Sequence, residues 1–422
     1  MKEKISFKSL PAFVILGIII GLIIGTFKKL IALFSVFMKS FLDSGTGKDK
    51  LIFMVLILLI GLVTYFILKT DENTKGSGIP VMVGMMDGTI DVKSEKTIVT
   101  KFIASILTIG SGLTVGREGP SVHLGGLAGD IASKFFPQTD RSLFIGSAAS
   151  SGFAVAFNSP VAALIFNVEE IFRNHNFNTF LTSAVTIISA TISSGLIFGD
   201  YPSLGEIPRL TNISQESLWI ILILGLLTGL SGVLFNTVVI RSKDIYKKIR
   251  LPEFVKYIIP FVLTGLILLI DQRLFASGEE LIFLPTMGNE GLFSLIYIYL
   301  AKILLLSFAF GAGLSGGSLV PLLSIGAILG NIYATILAEL GIIPIDMIYA
   351  ISLITMAGHF SAIVRTPLTA IILVLEITGG AFTNILALAL VSLMAYLVAE
   401  MCKSKPFYED LYDRLLITEK SS

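Results

Sequence analysis

Three glycine turns run into a proline and then into an apolar stretch: Gly76-Ser77-Gly78-Ile79-Pro80, Gly116-Arg117-Glu118-Gly119-Pro120 and Gly316-Gly317-Ser318-Leu319-Val320-Pro321. Each reads as a helix N-terminus. Proline suits the first helical turn, where a missing N–H costs nothing, and the glycines let the backbone aim its free N–H groups at one point. Such groups, with the helix dipole, hold an anion without a full positive charge. Weak holding suits transport, because an ion gripped by a buried cation leaves slowly. The expected substrate is therefore an anion.

Glu118 lies in one of these turns, in apolar surroundings where an unpaired charge costs several kcal/mol. Ionised, its carboxylate can occupy the ring of N–H groups; protonated, it can swing away. A group that mimics the anion in one state and carries a proton in the other couples the two ions by competition. The alternative is a simple pair with Arg117, and neighbouring side chains are expected to diverge where a helix begins. Ser77 offers a hydroxyl beside the first turn and Tyr408 a phenol near the C-terminal end, neutral donors that fit a weakly held halide. A tyrosine there also fits an interfacial belt. Glu169 and Glu170 end an uncharged run that starts at Ser142, where composition alone is equally consistent with a solvated acidic pair. His123 reads as a core histidine, and His175 and His359 as loop or helix-end residues. Ser150 and Ser151 are the only hint of an intramembrane hydrolase and lack a base, so no enzyme is expected.

The elements that position these residues are apolar helices. Of 422 residues, 54% are hydrophobic and 14% charged, with a mean hydropathy of +0.87. That excludes an ordinary soluble domain and a disordered chain. A net charge of +1 gives no field for nucleic acid. One cysteine and three scattered histidines argue against an intramolecular disulfide, a thiolate metal cluster or a histidine metal site, and no cofactor is expected. The run Leu51–Leu68 is long enough, at roughly 27 Å of helix, to span a bilayer. Further uncharged runs cover Ser142–Val168, Phe180–Gly199, Ser217–Ile240, Ile303–Ala338 and Ile377–Ala399. The run Ile303–Ala338 is too long for one span and is broken by glycines and Pro321, so two helices with irregular backbone between them are expected. Pro11–Phe34 reads as a retained helix and not a cleaved signal. Basic residues crowd Arg241–Lys256, whereas Arg209 is alone in Asp200–Glu216, which places the first loop in the cytoplasm. Lys2, Lys4, Lys8, Lys403 and Lys405 put both termini there too.

Two internal matches occur in the same order. Gly125 and Gly129 follow Pro120 as Gly326 and Gly330 follow Pro321, and Glu169 follows Pro160 as Glu376 follows Pro367. Two halves with interrupted helices at matching positions point to a transporter with its site at the repeat interface. The halves are expected at about 10–200 and 215–402, with a short helix over 403–422, in one domain spanning 1–422. Glu169 and Glu376, at equivalent positions, are expected to serve helix-end packing and hydrogen bonding.

As a set, GSGIP at 76–80, GREGP at 116–120, GGSLVP at 316–321 and KPFY at 405–408 resemble the CLC family of chloride channels and chloride/proton antiporters, of the prokaryotic type. The resemblance implies an all-α fold of two inverted repeats with tilted and broken helices. It implies Glu118 as the gating glutamate and Glu170 as the internal proton-transfer glutamate found in antiporters and absent from channels. Chloride would be coordinated by the hydroxyls of Ser77 and Tyr408 and by backbone groups at Gly76, Arg117, Gly119, Ser318, Leu319 and Val320. Leu319 departs from members with phenylalanine, but its contact is through the backbone. Serine at 77 resembles chloride-preferring members, and fluoride-selective relatives depart from GSGIP and from the terminal tyrosine. The function implied is chloride/proton exchange, with a passive chloride channel as the alternative. A homodimer in a prokaryotic inner membrane is implied as well, with contacts from 161–195 and 367–400. Only 14 residues follow Tyr408, so no nucleotide-binding domain is expected.

Overall fold

The computed structural model describes residues 9–173, 176–199, 210–288, 290–379 and 382–419. Lys2, Lys4, Lys8, His175 and Arg209 lie outside them. The described chain is built from helices: α1 (Leu10–Asp43), α2 (Gly47–Thr70), α3 (Ile79–Asp87), α4 (Ser94–Gly110), α5 (Glu118–Ser133), α6 (Arg141–Phe157), α7 (Pro160–Phe166), α8 (Phe177–Phe198) and α9 (Leu218–Lys248). There follow α10 (Glu253–Leu268), α11 (Leu284–Met287), α12 (Leu292–Gly311), α13 (Leu319–Glu339), α14 (Met347–Val364), α15 (Pro367–Ile377), α16 (Ile385–Met401) and α17 (Phe407–Glu419). Among the described residues, eight helices are long and apolar enough to cross a membrane. The protein is an integral membrane protein.

Interrupted helices arise where the sequence breaks the backbone pattern. The run Ser142–Val168 is not one span: α6 stops at Asn158, whose φ of 53° is left-handed, and α7 restarts at Pro160. In the second half α14 stops at Arg365, φ 70°, and α15 restarts at Pro367. The run Ile303–Ala338 divides as expected, with irregular backbone between α12 and α13. The run Ile377–Ala399 is likewise interrupted, because α15 ends at Ile377 and α16 begins at Ile385. His359 is corrected: it is buried inside α14, not at a helix end, and its Nδ1 bonds the Leu322 carbonyl at 2.7 Å.

The two halves meet about a pseudo-two-fold at Gly116 and Gly317, which exchange N–H···O bonds of 2.7 Å in both directions. Several neighbouring contacts are duplicated across it. Gly76 N–H donates to Gly313 O at 3.3 Å, and Ala276 N–H to Gly112 O at 2.8 Å. Buried Lys101 donates to Thr74 O and Gly76 O at 3.1 and 2.7 Å, and buried Lys302 to Leu274 O and Ala276 O at 2.9 and 2.7 Å. Glu169 accepts from Leu368 and Thr369 N–H at the start of α15, and Glu376 from Val161 and Ala162 N–H at the start of α7. Each carboxylate thus caps the other half's helix with a charge the dipole favours. These reciprocal bonds are the inverted repeat read in hydrogen bonds.

Candidate anion and proton site

At the pseudo-axis the three glycine turns touch. A Cβ on Gly119 would lie 2.9 Å from Ser77 Cβ and 3.0 Å from Gly317 Cα, so only glycine permits this approach. Gly316 N–H donates to Gly76 O at 3.1 Å and closes the cluster. Gly78, at φ 85°, turns the chain into α3 with His123 packed where a Cβ would be. The first helical bonds are Met82 N–H to Gly78 O, Ser121 N–H to Arg117 O and Leu322 N–H to Ser318 O. The amides of Glu118, Gly119, Leu319 and Val320 precede them and have no intrahelical acceptor. Three helix N-termini therefore aim at one small region.

Two hydroxyls border it. Ser77 Oγ is buried without a hydrogen-bond partner. Ser318 Oγ lies 3.4 Å from Tyr408 OH, and Tyr408 is only 2% exposed. Tyr408 is held by α17. Its neighbour Phe407 packs between Phe235 and Phe310. Tyr412 OH donates to Asp87 at 2.6 Å, and Arg414 pairs with Asp244 at 2.7 Å and with Asp410 at 2.9 Å. Burial and the Asp87 carboxylate both raise the Tyr412 phenol pKa, which keeps this bond in its neutral form.

Glu118 is fully buried, with its carboxylate folded over Gly116 beside Pro321. The N–H groups of Glu118 itself and of Val320 act on it electrostatically, yet neither oxygen completes a well-aligned hydrogen bond. Arg117 and Glu118 do not diverge as expected: Arg117 Nε sits 3.6 Å from Glu118 Oε1 while its Nη2 reaches Glu279 at 3.1 Å. The reason is that Glu279, on the turn after Gly278, arrives beside the guanidinium.

Glu170 lies in a π-turn over Asn167–Ile171, where Phe172 N–H reaches back to Asn167 O. The extra residue in that turn separates the adjacent carboxylates: Glu169 crosses to α15, whereas Glu170 is buried with its Oε1 3.1 Å from Arg173 Nη2. Tyr408 lies within Coulombic range of both Glu170 and Glu118.

The structure brings Ser77, Glu118, Gly119, Ser318, Leu319, Val320 and Tyr408 together. Two other expected groups have partners of their own. The Gly76 amide is already bonded to Gly313 O, and the Arg117 guanidinium turns to Glu118 and Glu279. Ser150 bonds Gly146 O and Asn167, and Ser151 bonds Ser147 O, so both serve helix packing. Sequence reasoning missed Lys101 and Lys302, whose spacing of 201 residues matches that of Gly116 and Gly317. Among the described residues no group of three or more His, Cys, Asp or Glu could hold a metal ion.

Fold and site define a membrane protein of inverted helical repeats whose helix N-termini converge beside a buried acid. The family model described as "Voltage gated chloride channel" matches residues 60–400. The chain is 30% identical over 433 residues to the H(+)/Cl(-) exchange transporter ClcA of Vibrio campbellii, covering 98% of this chain and 91% of that one. It is 31% identical over 422 residues to the protein of the same name from Vibrio vulnificus, covering 96% and 89%. A slow cyanobacterial Cl-/H+ antiporter superimposes with a TM-score of 0.91 at 25% identity, over 99% of this chain and 100% of that one. A CLC-type fluoride/proton antiporter shares the fold, with a TM-score of 0.81 at 21% identity over 96% and 98% of the chains. The chain belongs to the voltage gated chloride channel, or CLC, family.

Proposed function

We propose that this protein is a secondary active transporter that exchanges chloride for protons across the membrane. One observation carries the reading: the Glu118 carboxylate lies among helix N-termini, where its charge and an anion's compete for the same donors. Chloride is held by the amides of Gly119, Leu319 and Val320 and by the hydroxyls of Ser77 and Tyr408, with Ser318 bracing the phenol. The amide of Gly76 and the side chain of Arg117, otherwise engaged, contribute field and not direct contact. Ionised Glu118 closes the route. Protonated, it loses its attraction to the donors, admits chloride and carries its proton outward. Glu170 supplies that proton from the cytoplasmic side. Its burial in the protein interior favours exchange over the channel alternative, since a passive pore needs no internal acid.

The whole chain acts as one membrane domain, and no cofactor enters the exchange. Two copies pair through the surfaces around 161–195 and 367–400, where Val161, Ile188, Ile192, Leu368, Leu386 and Leu393 are exposed apolar side chains. Lys247 and Lys248 in the last turn of α9 favour the cytoplasm for that end and, with it, both termini, and the bacterial relatives favour a prokaryotic inner membrane. The test is a pair of isosteric variants. Glu118→Gln and Glu170→Gln in liposomes each lose chloride-driven proton movement while chloride still crosses. Proton coupling retained in either variant removes that residue from the route.

A further inference from the structure

Both buried acids share an arginine with a second, more exposed carboxylate. At one end Arg117 contacts Glu118, whose side chain is 0% exposed, and Glu279, which is 31% exposed, at 3.6 and 3.1 Å. At the other end Arg173 contacts Glu170, 4% exposed, and Glu409, 44% exposed, at 3.1 and 3.6 Å. Glu279 and Glu409 come from segments far from their partners in sequence, so nothing local imposes this duplication. A small cavity lined by Arg117, Glu279, Val320 and Leu323 adjoins the shared guanidinium.

We propose that Glu279 and Glu409 load and unload the transported protons at the two ends of the exchange, each serving the buried glutamate with which it shares an arginine. This inference rests on the proton roles of Glu118 and Glu170 given above. The step is a proton transfer between carboxyls. The O–H bond on Glu279 breaks, an O–H bond forms on Glu118, and negative charge passes the other way. The guanidinium stays charged and adjacent to both, so the net charge at the arginine is unchanged during the step. Direct protonation of a buried carboxylate from bulk water has no such compensation, because charge must cross the low-dielectric wall. At the opposite end the same exchange joins Glu409 and Glu170.

Other charged groups face these sites. Lys28 of α1, bonded to Val155 O at 2.7 Å, lies within Coulombic range of Arg117, Glu118 and Glu279. Lys39 of α1 pairs with Glu280 at 2.8 Å, and Lys302 of α12 packs against Gly278. Around Glu409 the charges are Arg173, Glu170 and Lys405. None of these joins a buried acid to water through a shared cation as Glu279 and Glu409 do.

Membrane vesicles of defined sidedness, right-side-out and inverted, test the assignment. The full-length protein is assayed for proton flux driven by a chloride gradient while pH is varied on one side at a time. Glu279→Gln lowers flux by about tenfold where protons are scarce on its own side and leaves the response to the opposite pH at wild type. Glu409→Gln does the reverse, and Glu279→Asp and Glu409→Asp recover most of the flux. A merely structural ion pair would move both pH responses together or neither, and either result overturns the inference. Glu118→Gln and Glu170→Gln run alongside. If they keep proton movement, the proposed function fails and this inference with it. If they abolish it while the Glu279 and Glu409 variants respond to pH as wild type, this inference alone fails.

Discussion

Gly317→Ala tests whether the anion site depends on the contact between the two halves. Gly317 does not adopt a left-handed φ, so alanine adds volume without backbone strain. Its Cβ would lie 2.7 Å from Gly119 N, 3.1 Å from Gly119 Cα and 3.2 Å from Gly116 O, all backbone atoms that cannot rotate away. Against an ordinary contact the shortfall is about 0.7 Å, so α5 and α13 must move apart by about that much. The paired bonds between Gly116 and Gly317, 2.7 Å each, then lengthen. Overpacking costs about 1–2 kcal/mol and two weakened bonds about 1 kcal/mol more. The donors on α5 and α13 also cease to converge. If this cost falls on the arrangement that binds the anion, chloride affinity drops about 30- to 140-fold, at about 1.4 kcal/mol per tenfold. Calorimetric titration of the purified variant with chloride reads this directly, with the size-exclusion profile reporting the fold. An affinity within about twofold of wild type on a well-folded variant would refute the claim that these N-termini must touch.

The same titration applied to Ser77→Ala with Tyr408→Ala is expected to weaken chloride by about 30-fold, since each removes one neutral donor worth about 1 kcal/mol. Unchanged affinity would move the anion away from these hydroxyls. Glu376→Gln replaces a charged cap on two α7 amides by a neutral one, and loses about 1–2 kcal/mol of stability. Thermal unfolding in detergent should show the loss, and Glu169→Gln on α15 should match it, because the two caps are repeat equivalents. A clear loss in only one would break that equivalence.

Much of the site was legible because its signals are local. Proline in a first turn and glycine before it announce a helix N-terminus wherever they stand, and the three turns do begin α3, α5 and α13. The spacing of Glu169 and Glu376 from their prolines carried the reciprocal caps, because both halves repeat one bond pattern. What stayed hidden depends on partners distant in sequence. The direction of Arg117 is set by Glu279, more than a hundred residues away, which no local pattern reports. Glu170 could not be told from a solvated acid until the π-turn separated it from Glu169. His359 was misread because a polar residue in an apolar run looks like its end, whereas Leu322 O on α13 satisfies it in the interior. Lys101 and Lys302 read as interruptions of apolar stretches, yet each sits wholly buried on carbonyls of a neighbouring loop.

The most direct test of the central claim is proton uptake into liposomes that contain the purified protein, with a chloride gradient imposed, no initial pH gradient, and potassium with valinomycin fixing the voltage. Exchange predicts protons moving uphill, opposite to chloride, with Glu118→Gln abolishing the movement. Chloride flux without proton movement in the unmodified protein would contradict the account and leave an uncoupled anion pathway in its place.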